Sequence, residues 1–130
     1  MFDLKKAMQT ASSAMGAQSL RMRLLSENIA NADTPGFKRK LTSFDTRLDS
    51  ATGATVVNPG PVRLGEAPMR EEYDPGHPLS DARGMVSYSN VDPVLELADA
   101  REASRSYEAN LALYDQVRGM RRSMLDLLNR

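Results

Sequence analysis

The sequence predicts a mainly α fold, with long N- and C-terminal helices paired as a coiled coil or bundle and a small irregular middle segment containing β-hairpins. Three observations carry this expectation. Apolar residues step by four and three along the first stretch of chain, no glycine or proline interrupts the last stretch until Gly119, and the two are separated by alternating prolines and glycines. The organisation expected is therefore residues 1–34 as one helix, 35–90 as the middle segment and 91–130 as the other helix.

The first helix is expected from about Asp3 to about Asn31. Leu4, Met8, Ala11, Met15, Gln18, Met22, Leu25, Ile29 and Ala32 form a heptad seam with one polar member. Asp33-Thr34-Pro35-Gly36 is a strong stop, because proline cannot continue a helix and glycine permits the reversal. Gly16 costs up to ~1 kcal/mol relative to alanine, and with Ala11, Ala14 and Ala17 it leaves a narrow waist that another helix could approach. Met8, Met15 and Met22 are adaptable packing residues, at home in a core or an interface.

In the middle segment Pro59, Pro61, Pro68, Pro75 and Pro78 alternate with Gly53, Gly60, Gly65, Gly76 and Gly84. Val56-Val57, Val62-Arg63-Leu64 and Met85-Val86-Ser87-Tyr88 fall between them. Two to four short strands with much coil are expected, with Ala51 to Asn58 mobile.

The C-terminal helix opens with Asp92-Pro93, an N-cap followed by proline at the first helical position. Glu96, Asp99 and Glu102 come early and Arg118, Arg121 and Arg122 late, the order the macrodipole favours. Thirty-six residues would span roughly 54 Å, so the helix needs a partner along most of its length. Leu113, Val117, Met120, Met124 and Leu127 repeat the four-three step and are expected to answer the first seam. Tyr107 and Tyr114, one heptad apart, are expected to pack or to cap an interface.

Leu, Ile, Val and Phe number 26 of 130 residues and there is no Trp, which sits at the border of what a core requires. Such a chain suits burial of its stripes against other copies or other proteins. Charge is balanced at 17 bases and 17 acids, so the basic field that nucleic acid or anionic lipid requires is not expected. Lys38-Arg39-Lys40 is the local exception and reads as solvated. The absence of cysteine excludes disulfide and thiolate chemistry. The residues after Lys5-Lys6 are too polar for a signal-peptide core, and no apolar run approaches a membrane span.

Catalytic, metal and cofactor sites are not expected. Asp74, His77 and Asp81 could be drawn as a metal cluster, but Pro75, Gly76 and Pro78 mark a turn, and one imidazole with two loop carboxylates is a weak ligand set. His77 has no serine in a nucleophile elbow, and no phosphate-binding glycine loop occurs.

Two stretches carry more specific information. One runs Ser26-Glu27-Asn28-Ile29-Ala30-Asn31-Ala32-Asp33-Thr34-Pro35-Gly36-Phe37-Lys38-Arg39. The other runs from Tyr73 to Asn110 and includes Asp74-Pro75-Gly76-His77-Pro78, Gly84-Met85-Val86, Asn90-Val91-Asp92-Pro93-Val94 and Ala103-Ser104-Arg105-Ser106-Tyr107-Glu108-Ala109-Asn110. They resemble the bacterial flagellar basal-body rod protein family, and within it the proximal rod subunits. The resemblance covers nearly the whole chain except residues 45–65.

The resemblance implies a structural subunit that polymerises through its terminal helices into the periplasmic drive shaft and transmits torque. It implies export by the flagellar type III apparatus without a cleaved signal, and partners that are other copies of this chain and other rod subunits. Interface residues implied are Asn28, Asn31, Tyr107, Asn110 and Phe37, alongside the seam residues Met8, Met15, Met22, Leu25, Ile29, Leu113, Tyr114, Val117, Met120 and Met124. For Asn28 and Asn31 plain helix capping is the alternative, and for Phe37 local packing. Another rod subunit of the same family, or a soluble coiled-coil adaptor or chaperone that would be fully helical, are the competing functions.

Overall fold

A computed structural model describes residues 2–130, with only the backbone of Phe2. Two long helices, α1 (Phe2–Ala30) and α2 (Pro93–Leu128), pack against each other. Between them lie six short strands: β1 (Lys40–Leu41), β2 (Phe44–Leu48), β3 (Thr55–Pro59), β4 (Arg63–Leu64), β5 (Glu71–Tyr73) and β6 (Met85–Ser87). They form three antiparallel pairs, β1 with β4, β2 with β3 and β5 with β6. Six strands exceed the two to four expected. The extra ones, such as Phe-Asp-Thr-Arg-Leu and Glu-Glu-Tyr, are exposed along most of their length and carry two charged residues each, so they bury little of the apolar face that sequence patterning detects.

Asp92 starts α2 as expected. Its Oδ1 accepts from the backbone N–H groups of Val94 at 3.1 Å and Leu95 at 3.5 Å, which satisfies two orphan donors of the first turn. The helix then passes through Gly119 without a break.

The chain divides into two compact units. One holds α1 up to Leu20, residues 43–60 and α2 from Glu102; the other holds Arg21–Thr42 and Pro61–Arg101.

In the first unit the β2–β3 hairpin lies against α1. Thr10 Oγ1 donates to the Thr55 carbonyl at 2.6 Å, and Ser13 Oγ accepts from the Val57 N–H at 2.9 Å. Polar side chains of α1 thus occupy backbone groups on the edge of β3 that would otherwise be left open. Gln9 Nε2 donates to Asp49 Oδ2 at 2.7 Å, anchoring the hairpin turn, where Gly53 has φ +74°. The second half of the stretch expected to be mobile, Ala51 to Asn58, is therefore strand, bonded on both edges. Buried residues here are small: Ala11, Ala17, Ala54, Val56, Ala103 and Val117. Of the expected waist, Ala11 and Ala17 are buried and Ala14 half-buried, whereas Gly16 faces open space.

In the second unit the core is Leu24, Leu25, Ala32, Val86 and Val91, with Asn28, Ser89 and Glu96 buried among them. The stop after α1 forms as expected, with Gly36 at φ +77° and its N–H donated to the Ser87 carbonyl at 3.1 Å. Gly84 has φ +78°, and a Cβ there would meet Tyr73 Cε2 at 2.8 Å, so this turn admits only glycine without strain.

Candidate assembly site

The polar centre of the second unit is built from both helices and the strand between them. Asn28, on the last full turn of α1, is fully buried. Its Oδ1 accepts from the Lys40 N–H and its Nδ2 donates to the Lys40 carbonyl, both at 2.8 Å. One amide side chain therefore pairs with both backbone groups of one strand residue, as a neighbouring strand would. The same Nδ2 lies 3.2 Å from Glu96 Oε2. Glu96, 1% exposed, meets Arg39 Nε through its other oxygen, and Arg39 Nη2 reaches Asp99 at 3.5 Å.

Asn90 grips Arg39, the residue just before β1. Its Oδ1 accepts from the Arg39 N–H at 2.6 Å, while its Nδ2 donates to the Gly65 and Ala67 carbonyls at 3.0 and 3.1 Å. Lys40 Nζ pairs with Glu27 at 3.0 Å. Arg39 and Lys40 are therefore partnered, contrary to the expectation that this basic run is solvated; only Lys38 of the three is exposed. The reason is the buried carboxylate of Glu96, which requires a cation beside it.

Asn31 does different work. Its Nδ2 donates to the Glu27 carbonyl at 2.8 Å and its Oδ1 accepts from Thr34 Oγ1 at 3.1 Å, which is local capping of the helix end. Phe37 is half-buried, and its N–H donates to the Thr34 carbonyl at 3.2 Å.

The remaining sequence-predicted residues separate by exposure. Leu25 and Val117 are buried within the chain; Met8, Met15, Met22, Tyr107, Asn110 and Tyr114 are half-buried. Ile29, Leu113, Met120 and Met124 are exposed. The seam expected to pair α2 with α1 is thus corrected. Of Leu113, Val117, Met120, Met124 and Leu127, only Val117 is buried. The inward side carries Ala103, Asn110, Tyr114 and Val117, less apolar as a set than the exposed seam. The exposed seam lies roughly 80° away around the helix at 100° per residue, and among the described residues its four members stay exposed.

Two groups with displaced acidity lie in turns. The Met85 N–H, followed by the Arg83 N–H and side chain, holds Asp81 below its usual carboxylate value. The Ala51 N–H and Gln9 do the same for Asp49. His77 sits in a turn, where its Nδ1 accepts from the Leu79 N–H at 3.0 Å and its ring meets Tyr88 edge-on. Among the described residues no three acids or histidines converge on a metal-sized site, and no helix is long and apolar enough to cross a membrane.

Sequence reasoning missed Arg39, Asn90 and Glu96 as members of this centre. A signal existed for Glu96: it stands one heptad before Ala103 and two before Asn110, on the inward stripe, where an acid requires a partner.

A helix pair clamped at its turn by buried polar groups, with an apolar stripe left open, has the form of an assembly subunit. Comparison with known proteins makes the class specific. Residues 8–38 match the family described as flagella basal body rod protein, and residues 82–127 match the flagellar basal body rod FlgEFG protein C-terminal family. The chain is 42% identical to the flagellar basal-body rod protein FlgC of Agrobacterium fabrum, covering 98% of this chain and 97% of that one. It is 38% identical to FlgC of Salmonella typhimurium over 90% and 92% of the two chains, and 36% identical to FlgC of Aquifex aeolicus over 88% and 89%. The chain belongs to the FlgC family of flagellar basal-body rod proteins.

Proposed function

We infer that this chain is a structural subunit of the bacterial flagellar basal-body rod, assembling through its terminal helices into the periplasmic shaft that transmits torque. Beside family membership, the observation that carries this is the open stripe Leu113, Met120, Met124 and Leu127. Four large apolar side chains at heptad spacing favour burial against other helices at ~25 cal/mol per Å² removed from water. To the same role we assign the exposed Ile29, the half-buried Met8, Met15, Met22, Phe37, Tyr107, Asn110 and Tyr114, and the buried Leu25, Asn28 and Val117.

In this role the chain acts by contact rather than by chemistry. Torque loads the shaft in shear, and shear is resisted by many simultaneous subunit contacts. The partners are other copies of this chain and other rod subunits, delivered through the flagellar type III export apparatus. Residues 35–90 face outward from the helical layer. The fully helical adaptor considered from sequence does not suit a chain with six strands.

An in-frame deletion in the source bacterium, followed by electron microscopy of purified basal bodies, tests the reading. Rings without a rod, restored by the wild-type copy, are expected. Intact rods and normal swimming would overturn it.

A further inference from the structure

Strand β2 leaves one of its edges open. The Asp49 N–H donates to the Ala54 carbonyl at 2.8 Å, and the Gly60 N–H to the Ser43 carbonyl at 2.6 Å. Antiparallel bonding alternates along a strand, so Asp45 and Arg47 turn their backbone groups toward β3 while Phe44, Thr46 and Leu48 turn theirs away. The corresponding outward side of β3 meets Thr10 and Ser13 of α1. Among the described residues no hydrogen bond is made to the outward groups of β2. We propose that this edge pairs with the same edge of a second copy, antiparallel and centred on Thr46, so that two hairpins join into one continuous sheet.

The strand is complementary to itself in that register. Phe44-Asp45-Thr46-Arg47-Leu48 reads apolar, acid, threonine, base, apolar. Reversal about Thr46 therefore sets each Asp45 opposite Arg47 of the other copy and each Phe44 opposite Leu48. Thr46 meets Thr46 as a hydrogen-bonded pair. The two charge pairs then fall at the non-hydrogen-bonded positions, where cross-strand side chains come closest. Asp45, Thr46, Arg47 and Leu48 are all exposed, and neither charge has a side-chain partner among the described residues. No bond within the chain has to be broken to make the contact.

Charge on an edge strand ordinarily blunts it. Here the order of the signs selects one mode of pairing instead. A parallel approach in register would face Asp45 with Asp45 and Arg47 with Arg47, whereas the antiparallel one faces each with its opposite. The antiparallel pairing is isologous and closes after two copies, so it does not extend. It is therefore distinct from a contact that builds a shaft. It belongs to the unassembled chain and stands whether or not the assembly role above holds.

Analytical ultracentrifugation of the purified chain tests this, in a Leu113→Asp background that keeps the exposed α2 stripe from contributing. A reversible dimer is expected to grow in between micromolar and submillimolar concentration. Asp45→Arg and Arg47→Asp each place like charges at both cross-strand pairs and should weaken the dimer at least about tenfold. An equimolar mixture of the two should restore it, because every base then faces an acid. Helical circular dichroism checks that both variants fold. Thr46→Pro, which removes only an N–H that points outward, should abolish the dimer in its own right. A parent chain that stays monomeric over that range would overturn the proposal. So would a dimer that either swap or Thr46→Pro leaves unchanged, or a mixture of the two swapped chains that stays monomeric. None of these results touches the rod assignment, which the deletion decides separately.

Discussion

Asn28 and Asn31 belong to one short motif and look interchangeable in sequence, yet the structure separates them by several kcal/mol. Asn28→Ala removes both 2.8 Å bonds to the Lys40 backbone and the 3.2 Å bond to Glu96. Two neutral hydrogen bonds contribute about 1 kcal/mol each and one to a charged group about 1.5–3 kcal/mol, so the loss is about 3–5 kcal/mol. Asn31→Ala removes local bonds at a part-exposed helix end, a loss of about 1 kcal/mol. The assay is urea unfolding of the purified chain followed by helical circular dichroism, comparing midpoints at constant slope. Asn28→Asp gives a second point. It places an oxygen where Nδ2 now faces Glu96 and removes the donor to Lys40, so it should destabilise at neutral pH at least as much as alanine. Equal midpoints for the two alanine variants, or a loss below about 1.5 kcal/mol at Asn28, would refute the claim that this side chain pins the strand to the helix pair.

Three further outcomes are expected. Arg39→Met alone should destabilise by about 2–3 kcal/mol, because it strands the buried Glu96, while Arg39→Met with Glu96→Leu should fall within about 1 kcal/mol of wild type; a double-mutant cycle reads the coupling. Asp81 is held below its ordinary value of 3.8 in the folded chain, so its contribution is present above that value and is lost as pH falls through the lower folded one. Stability measured from pH 5 to pH 3 should therefore fall less steeply in Asp81→Asn than in wild type. Leu113→Asp should change the stability of the isolated chain by less than about 1 kcal/mol, since the residue is already 48% exposed, yet abolish swimming; retained motility would show that this seam is not an interface.

The parts legible in the sequence were those set by strong local rules. Asp92-Pro93 and Asp33-Thr34-Pro35-Gly36 bracket the helices because capping and proline geometry act over a few residues. Apolar period locates helices well, but it does not say which neighbour an apolar stripe faces. Leu113, Met120, Met124 and Leu127 form the more apolar seam of α2, so periodicity assigns them to the intramolecular contact. The chain instead turns inward the side that carries Ala103, Asn110 and Val117. Burial of Glu96 was equally hidden, because its partners Asn28 and Arg39 are 68 and 57 residues away along the chain. On the proposed assembly role both misreadings have one physical source: the chain keeps its best apolar seam for neighbours and holds its own fold by other means, here polar bonds of fixed geometry. The stability of the isolated chain should therefore depend more on Asn28, Arg39, Asn90 and Glu96 than on any leucine of the open seam.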